Sequence, residues 1–163
     1  MSTLIQLSTK QNPIILTTDG IPVAGTIVET DCAIIAVNQF ELNPGDMFTT
    51  LAKHYVLQGT TGISTYRLYY NNVPTFVGGS LIATSGTLTP VNNSCSFSRF
   101  FTISGSNIIG ADSISQSETD YTQTPDTSTF IDLGNTMYFI FTIENSDLNT
   151  ISDVPKLVLE IYK

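Results

Sequence analysis

The sequence predicts an all-β protein, an antiparallel β-sandwich or barrel of roughly nine to eleven strands. Helical periodicity is almost missing, while two-residue alternation recurs along the chain. Charged residues make up only 12%, and Thr, Val, Ile, Tyr and Phe are plentiful, which suits pleated, half-buried surfaces. Gly, Pro, Asn and Asp punctuate the apolar runs at regular spacing. A chain of 163 residues with 41% hydrophobic content forms one domain and buries a core without a metal or disulfide scaffold. That content also argues against disorder. No internal repeat of about 20–50 residues is present, which argues against propellers and solenoids.

The elements follow in order. "NPIILTTDGIPVAGTIV" gives two short extended segments around an Asp19-Gly20 turn, with Pro13 and Pro22 at their starts, where a missing ladder donor is tolerated. "DCAIIAVNQFEL" is a third apolar segment, closed by Asn43-Pro44-Gly45-Asp46. A long strand runs from Met47 to Leu57, and "QGTTGIS" turns the chain back into Thr65 to Tyr70. There Tyr66, Leu68 and Tyr70 share one face, and Thr65, Arg67 and Tyr69 the other. "NNVPTFVGG" is a loop before a short strand from Leu81 to Thr84. In "SCSFSRFFTIS", Cys95, Phe97, Phe101 and Ile103 line one face with Arg99 among them, opposite Ser96, Ser98, Phe100 and Thr102. An arginine in that position should snorkel to the rim or meet a carboxylate.

"ADSISQSETDYTQTPDTS" is polar, acidic and aperiodic, a long exposed loop. "TFIDL", a Gly134-Asn135 turn and "TMYFIFTIE" are predicted to form a hairpin, with Met137, Phe139, Phe141 and Ile143 on its buried face. After "NSDLNTISDVP", the strand "KLVLEIY" buries Leu157, Leu159 and Ile161.

Charge and motifs exclude more than they assign. Six Lys and Arg against 14 Asp and Glu give a net charge of −8, which disfavours nucleic acid and anionic membrane as partners. No Lys or Arg occurs between Arg99 and Lys156, although eight acids fall there. This is a solubilising surface or one that docks on a basic partner. Cys32 and Cys95 form no CxxC pair and sit in apolar strand contexts, so buried thiols are favoured over a disulfide. "MSTLIQLSTK" lacks the pattern of a signal peptide, and no apolar run reaches the length of a membrane span.

His54 is the only histidine, so a histidine-rich metal site is impossible and a partly buried strand residue is favoured over a catalytic base. There is no Gly-x-Ser-x-Gly elbow, Walker loop or dinucleotide fingerprint. "ENSDLNTISD" could wrap calcium with Asp147, Asn149 and Asp153, but it lacks the EF-hand pattern. No catalytic, cofactor-binding or metal residue is therefore assigned. The tyrosines are the candidate contacts: Tyr66, Tyr69 and Tyr70 occupy both faces of one strand, so at least one points away from the core. They would serve a subunit interface or a stacked sugar. Asp120 and Tyr121, in the long polar loop, join them as candidate contacts.

The order of elements carries a resemblance. "GDMF" is followed by "GTTGISTYRLYYN", a Gly-rich loop, "SLIAT", "SFSRFFTI", a polar loop, "FIDLGNTMYFIFTIEN" and "LVLEIYK". This succession resembles the jelly-roll domains of tailed-bacteriophage virion proteins over residues 26–163. Such domains occur as capsid decoration proteins, head fibres and tail-fibre tips, commonly as trimers of a TNF-like sandwich. The resemblance implies a non-enzymatic homotrimer on the virion surface, assembled in the host cytoplasm, with the major capsid protein or tail and fibre proteins as partners. Because no stalk-like segment precedes the sandwich, a capsid decoration is favoured over the alternative of a receptor- or carbohydrate-binding tip with a host glycan as partner. Residues 1–25 fall outside the resemblance and are expected to form an extra hairpin or a docking arm. A hydrolase on the same scaffold is the third reading, and it would need His54, an acid and a serine to converge.

Overall fold

The computed structural model describes residues 12–58, 62–88, 94–110 and 127–163, with the side chains of 51–58, 86–88, 94–97 and 127–128 left aside. The chain is all-β: ten strands and no helix among these residues. They are β1 (Ile14–Asp19), β2 (Thr30–Val37), β3 (Met47–Gln58), β4 (Ser64–Asn71), β5 (Ser80–Leu88), β6 (Ser94–Ser104), β7 (Asn107–Gly110), β8 (Thr127–Phe130), β9 (Met137–Asn145) and β10 (Ile151–Tyr162).

The strands form two antiparallel sheets, one ordered β1-β10-β3-β6-β7-β8 and the other β2-β9-β4-β5. Their pairing is nested. β1 pairs with β10, β2 with β9, β3 with β6, and β4 with β5, so the chain behaves as one long two-stranded ribbon. Rolling that ribbon brings β10 against β3 and β9 against β4, and places successive ribbon segments in alternate sheets. β7 and β8 extend the larger sheet beyond β6.

Alternation decides what lies between the sheets. On β9, Met137, Phe139, Phe141 and Ile143 face inward, and on β10 Leu157, Leu159 and Ile161 do the same. Phe48 of the larger sheet stacks on Phe101 at 4.8 Å between ring centroids, and meets Phe139 of the smaller sheet edge-on at 5.1 Å. Gly110 makes room for this group, because a Cβ there would lie 2.6 Å from the Phe101 ring. The Asn43–Asp46 turn that delivers Phe48 needs Gly45 at φ 97°, a conformation that side chains resist. Its Asp46 carboxylate accepts the Asn43 amide at 2.9 Å and the Lys163 ammonium at 2.8 Å.

A polar latch closes one end of the core. Asn145 is buried and uses its full hydrogen-bonding capacity. Its Nδ2 donates to the carbonyls of Val23 and Thr150, and its Oδ1 accepts from the hydroxyls of Ser64 and Ser152. Ser64 belongs to the smaller sheet and Ser152 to the larger, so one amide ties both together.

Two expectations need correction. β8 and β9 do not form a hairpin. The Asp132–Asn135 turn is present, with Asp132 accepting from Gly134 and Asn135, but the chain crosses it from one sheet to the other. Fully buried Ile131 anchors that crossing. Secondly, the last strand begins at Ile151, well before "KLVLEIY". Pro155 is tolerated within it because the register shifts between Asp153 and Lys156, where no ladder donor is required. The described part of residues 1–25 joins the larger sheet. β1 is an edge strand on β10, and Val23 makes a single bridge to Ser152. Glycine is required at position 20 by a close approach: a Cβ there would lie 1.9 Å from the Val154 carbonyl oxygen.

Replacing Phe48 by alanine removes the ring that joins the sheets and should cost about 3–5 kcal/mol, read as a lower urea midpoint at unchanged slope. A loss below about 1 kcal/mol would show that the sheets do not depend on it.

Candidate interaction surfaces

β4 lies between β9 and β5, so its two faces are separated by the smaller sheet itself. Tyr66 and Tyr70 point inward and are buried, against Phe141 and Phe139 respectively. The expectation that they contact a partner or ligand is corrected, since the alternation that pairs them with Leu68 carries them into the core. Burial raises the Tyr66 phenol well above its ordinary pKa. The Tyr70 hydroxyl accepts the Asp132 amide at 2.8 Å and donates to Asn72 Oδ1 at 3.1 Å, which pins the crossing before β9. Tyr69 alone of the three faces outward. Asp120 and Tyr121 lie outside the described residues.

Around Tyr69 the outer face of the smaller sheet is closed by the chain itself. Arg67 pairs with Glu144 at 2.7 Å and with Glu29 at 3.3 Å. Glu29 also accepts from the Thr142 hydroxyl at 2.5 Å and from the Tyr69 hydroxyl at 3.3 Å. Burial opposes the Arg67 charge, but the two carboxylates outweigh it and raise its pKa. Burial, followed by the Glu29 charge, pushes the Tyr69 phenol up to about 12.

The loop 72–79 lies beside this cluster. Asn71 Nδ2 donates to the carbonyls of Thr75 and Val77, and Gly79 donates to Phe76. The Phe76 ring rests 5.5 Å from Tyr69, and its backbone lies near enough to Asp31 to favour that carboxylate's charged form. Ile140 and Thr142, on the outward side of β9, are consequently fully buried. Glu29 and Phe76 carried no signal in the sequence, because both lie outside strands and show no periodicity.

Arg99 faces inward as expected, and its guanidinium reaches backbone carbonyls. Its Nη1 donates to Ser98 and its Nη2 to Thr84 of the opposite sheet. Cys32 is a buried free thiol that donates to the Phe141 carbonyl at 3.0 Å, and burial raises its pKa. The Cys95 and His54 side chains lie outside the described residues. In "ENSDLNTISD", Asp147 Oδ1 accepts the amides of Asn149 and Thr150 and so builds the turn. Among the described residues no group of three or more His, Cys, Asp and Glu side chains is placed to hold a metal. No described helix is long and apolar enough to cross a membrane.

The outer face of the larger sheet contrasts with the first. Its register sets Ile15, Glu160, Thr49 and Phe100 in one row, and Tyr162, Met47, Thr102 and Ile109 in the next. Phe100 is 74% exposed, Met47 53% and Ile15 57%. Phe130, opposite Asn107 on β8, is 69% exposed. The Tyr162 hydroxyl donates to Glu160 at 2.6 Å, which satisfies one oxygen of the charged member of these rows.

No protein-family model matches the chain, and no curated protein matches it.

Asp31 tests how tightly loop 72–79 is held. Burial raises its pKa above 3.8, the Phe76 backbone opposes that, and the Glu29 charge adds to it. A carboxyl whose folded pKa is raised destabilises the fold when ionised, and the penalty vanishes as pH falls below the unfolded value. Asp31→Asn keeps the shape of the side chain and removes its charge. The variant should therefore be more stable than wild type near pH 7 and equal to it below pH 3.8. A urea midpoint lower than wild type at pH 7 would contradict this.

Proposed function

We propose that the protein is a non-enzymatic structural component of a tailed-phage virion, a homotrimer that decorates the capsid surface. The observation that carries this reading is the strand order. β1-β10-β3-β6 opposite β2-β9-β4-β5, built from nested pairs, is the arrangement expected of a jelly roll, a double-sheet architecture used by viral capsid domains. It agrees with the succession of motifs that resembles phage virion proteins. Fold alone assigns no role, so the surfaces must supply the rest.

They favour assembly over chemistry. The ionisable groups beside Tyr69 are engaged with one another, and the Cys32 thiol is buried against a carbonyl. A large exposed apolar face is what a self-associating subunit carries. The acidic excess suits docking on a basic shell surface. The glycan-binding alternative loses Tyr66 and Tyr70, which lie in the core, and Phe76 already rests against Tyr69, while its other candidates, Asp120 and Tyr121, lie outside the described residues.

Sedimentation equilibrium at micromolar concentration should give the mass of three chains. Imaging of intact particles should then find that trimer on the capsid. A stable monomer in solution, or density at a tail tip, would overturn the proposal.

A further inference from the structure

We infer that copies of this chain assemble through the outer face of the six-stranded sheet, around Phe100 and Met47. The inference rests on the assembly reading above and adds to it which surface is buried.

The first ground is register. Phe100 sits opposite Thr49 and diagonal to Met47, within reach of a long side chain. Tyr162 flanks Met47 on the other side, Ile15 lies diagonal to Tyr162, and Ile109 lies diagonal to Phe100. Phe130 continues the band onto β8. The band thus crosses six strands, about 24 Å at ordinary strand spacing and about 14 Å wide, on the order of 300 Å². The largest apolar patch on a single chain is commonly of about that size and is often functional. Between its apolar members lie Thr49 and Thr102, uncharged side chains that can be desolvated at little cost if they hydrogen-bond.

The second ground is charge, and it selects the occupant. The chain carries a net −8, so most ways of bringing two copies together oppose like charges. Among the described residues of this band Glu160 is the one charged side chain, and Tyr162 already donates to it. Asp19 and Lys156 stand at the far end of the sheet, in register with each other. A near-neutral apolar face on an acidic protein suits an equally near-neutral surface, and this same face on a second copy is one. A basic partner would gain nothing here that the acidic surfaces do not offer better.

The third ground is the comparison of the two outer faces. That of the smaller sheet presents Glu29, Glu144 and Arg67 in mutual ion pairs, with Phe76 resting on Tyr69. Its apolar residue Ile140 is already fully buried within one chain. Among the described strand residues of that sheet Leu81, opposite Tyr69, is the one large apolar side chain left exposed, at 45%, whereas the larger sheet leaves Phe100, Met47, Ile15 and Phe130 uncovered.

The test compares wild type with Phe100→Asp and with Val77→Asp, a control at an exposed position of loop 72–79, by sedimentation equilibrium. Phe100→Asp should lower the mass about threefold, to one chain, while Val77→Asp should sediment as wild type. Far-ultraviolet circular dichroism checks that each variant folds. Thr102→Lys, which places a charge in the band without removing an apolar group, decides the matter if Phe100→Asp does not fold. If wild type is assembled and both band variants remain so, this face is not the interface, although the assembly reading survives. Dissociation by Val77→Asp as well would also overturn the assignment. A monomeric wild type would remove the assembly reading itself.

Discussion

Phe48 stacks on Phe101 in its own sheet and meets the edge of Phe139 in the other, so a single ring joins the two layers. Everything else depends on the sheets being held at that separation. Leu157, Leu159 and Ile161 on one side, and Met137, Phe141 and Ile143 on the other, leave water only because their strands face each other across this group. Apolar burial is non-directional, so it cannot by itself choose which strands become neighbours. The nested pairing of the ribbon makes that choice, and aromatic contacts of defined geometry fix it.

Directional polar contacts complete the closure at the margins. Asn145 ties Ser64 to Ser152 at one end of the core, and the Tyr70 hydroxyl pins the crossing at Asp132. Neither group could be left half-satisfied without a desolvation penalty. Each therefore selects one arrangement of backbone more strongly than it stabilises it. The outer faces follow different logic. Ion pairs and loop 72–79 finish the smaller sheet within the chain, whereas the larger sheet ends in bare Phe100 and Met47.

Much of the fold was legible because alternation is a local signal. The inward faces of β4 and β9, and the inward position of Arg99, follow from reading every second residue. Alternation also set Phe100 among Ser and Thr on the far side of its strand. That lone aromatic is the sign in the sequence of a second apolar face. The remaining features are not local. Whether the Asp132–Asn135 turn makes a hairpin or a sheet crossing depends on Ile131 finding the core, which no spacing encodes. Pro155 suggested a loop because its bulge needs a partner strand to be recognised. The cluster of Glu29, Arg67 and Glu144 joins residues far apart in sequence, and Glu29, like the neighbouring Phe76, belongs to no strand.

The central claim is that this chain covers one of its outer faces alone and leaves the other to be covered by copies of itself. Hydroxyl-radical footprinting of the assembled protein tests it directly, by comparing side-chain oxidation at Met47 and Phe100 with that at Val77. All three are more than half exposed in a single chain. The account predicts that Met47 and Phe100 are protected and Val77 is modified freely. Oxidation of Met47 and Phe100 at the rates of fully accessible side chains would contradict it.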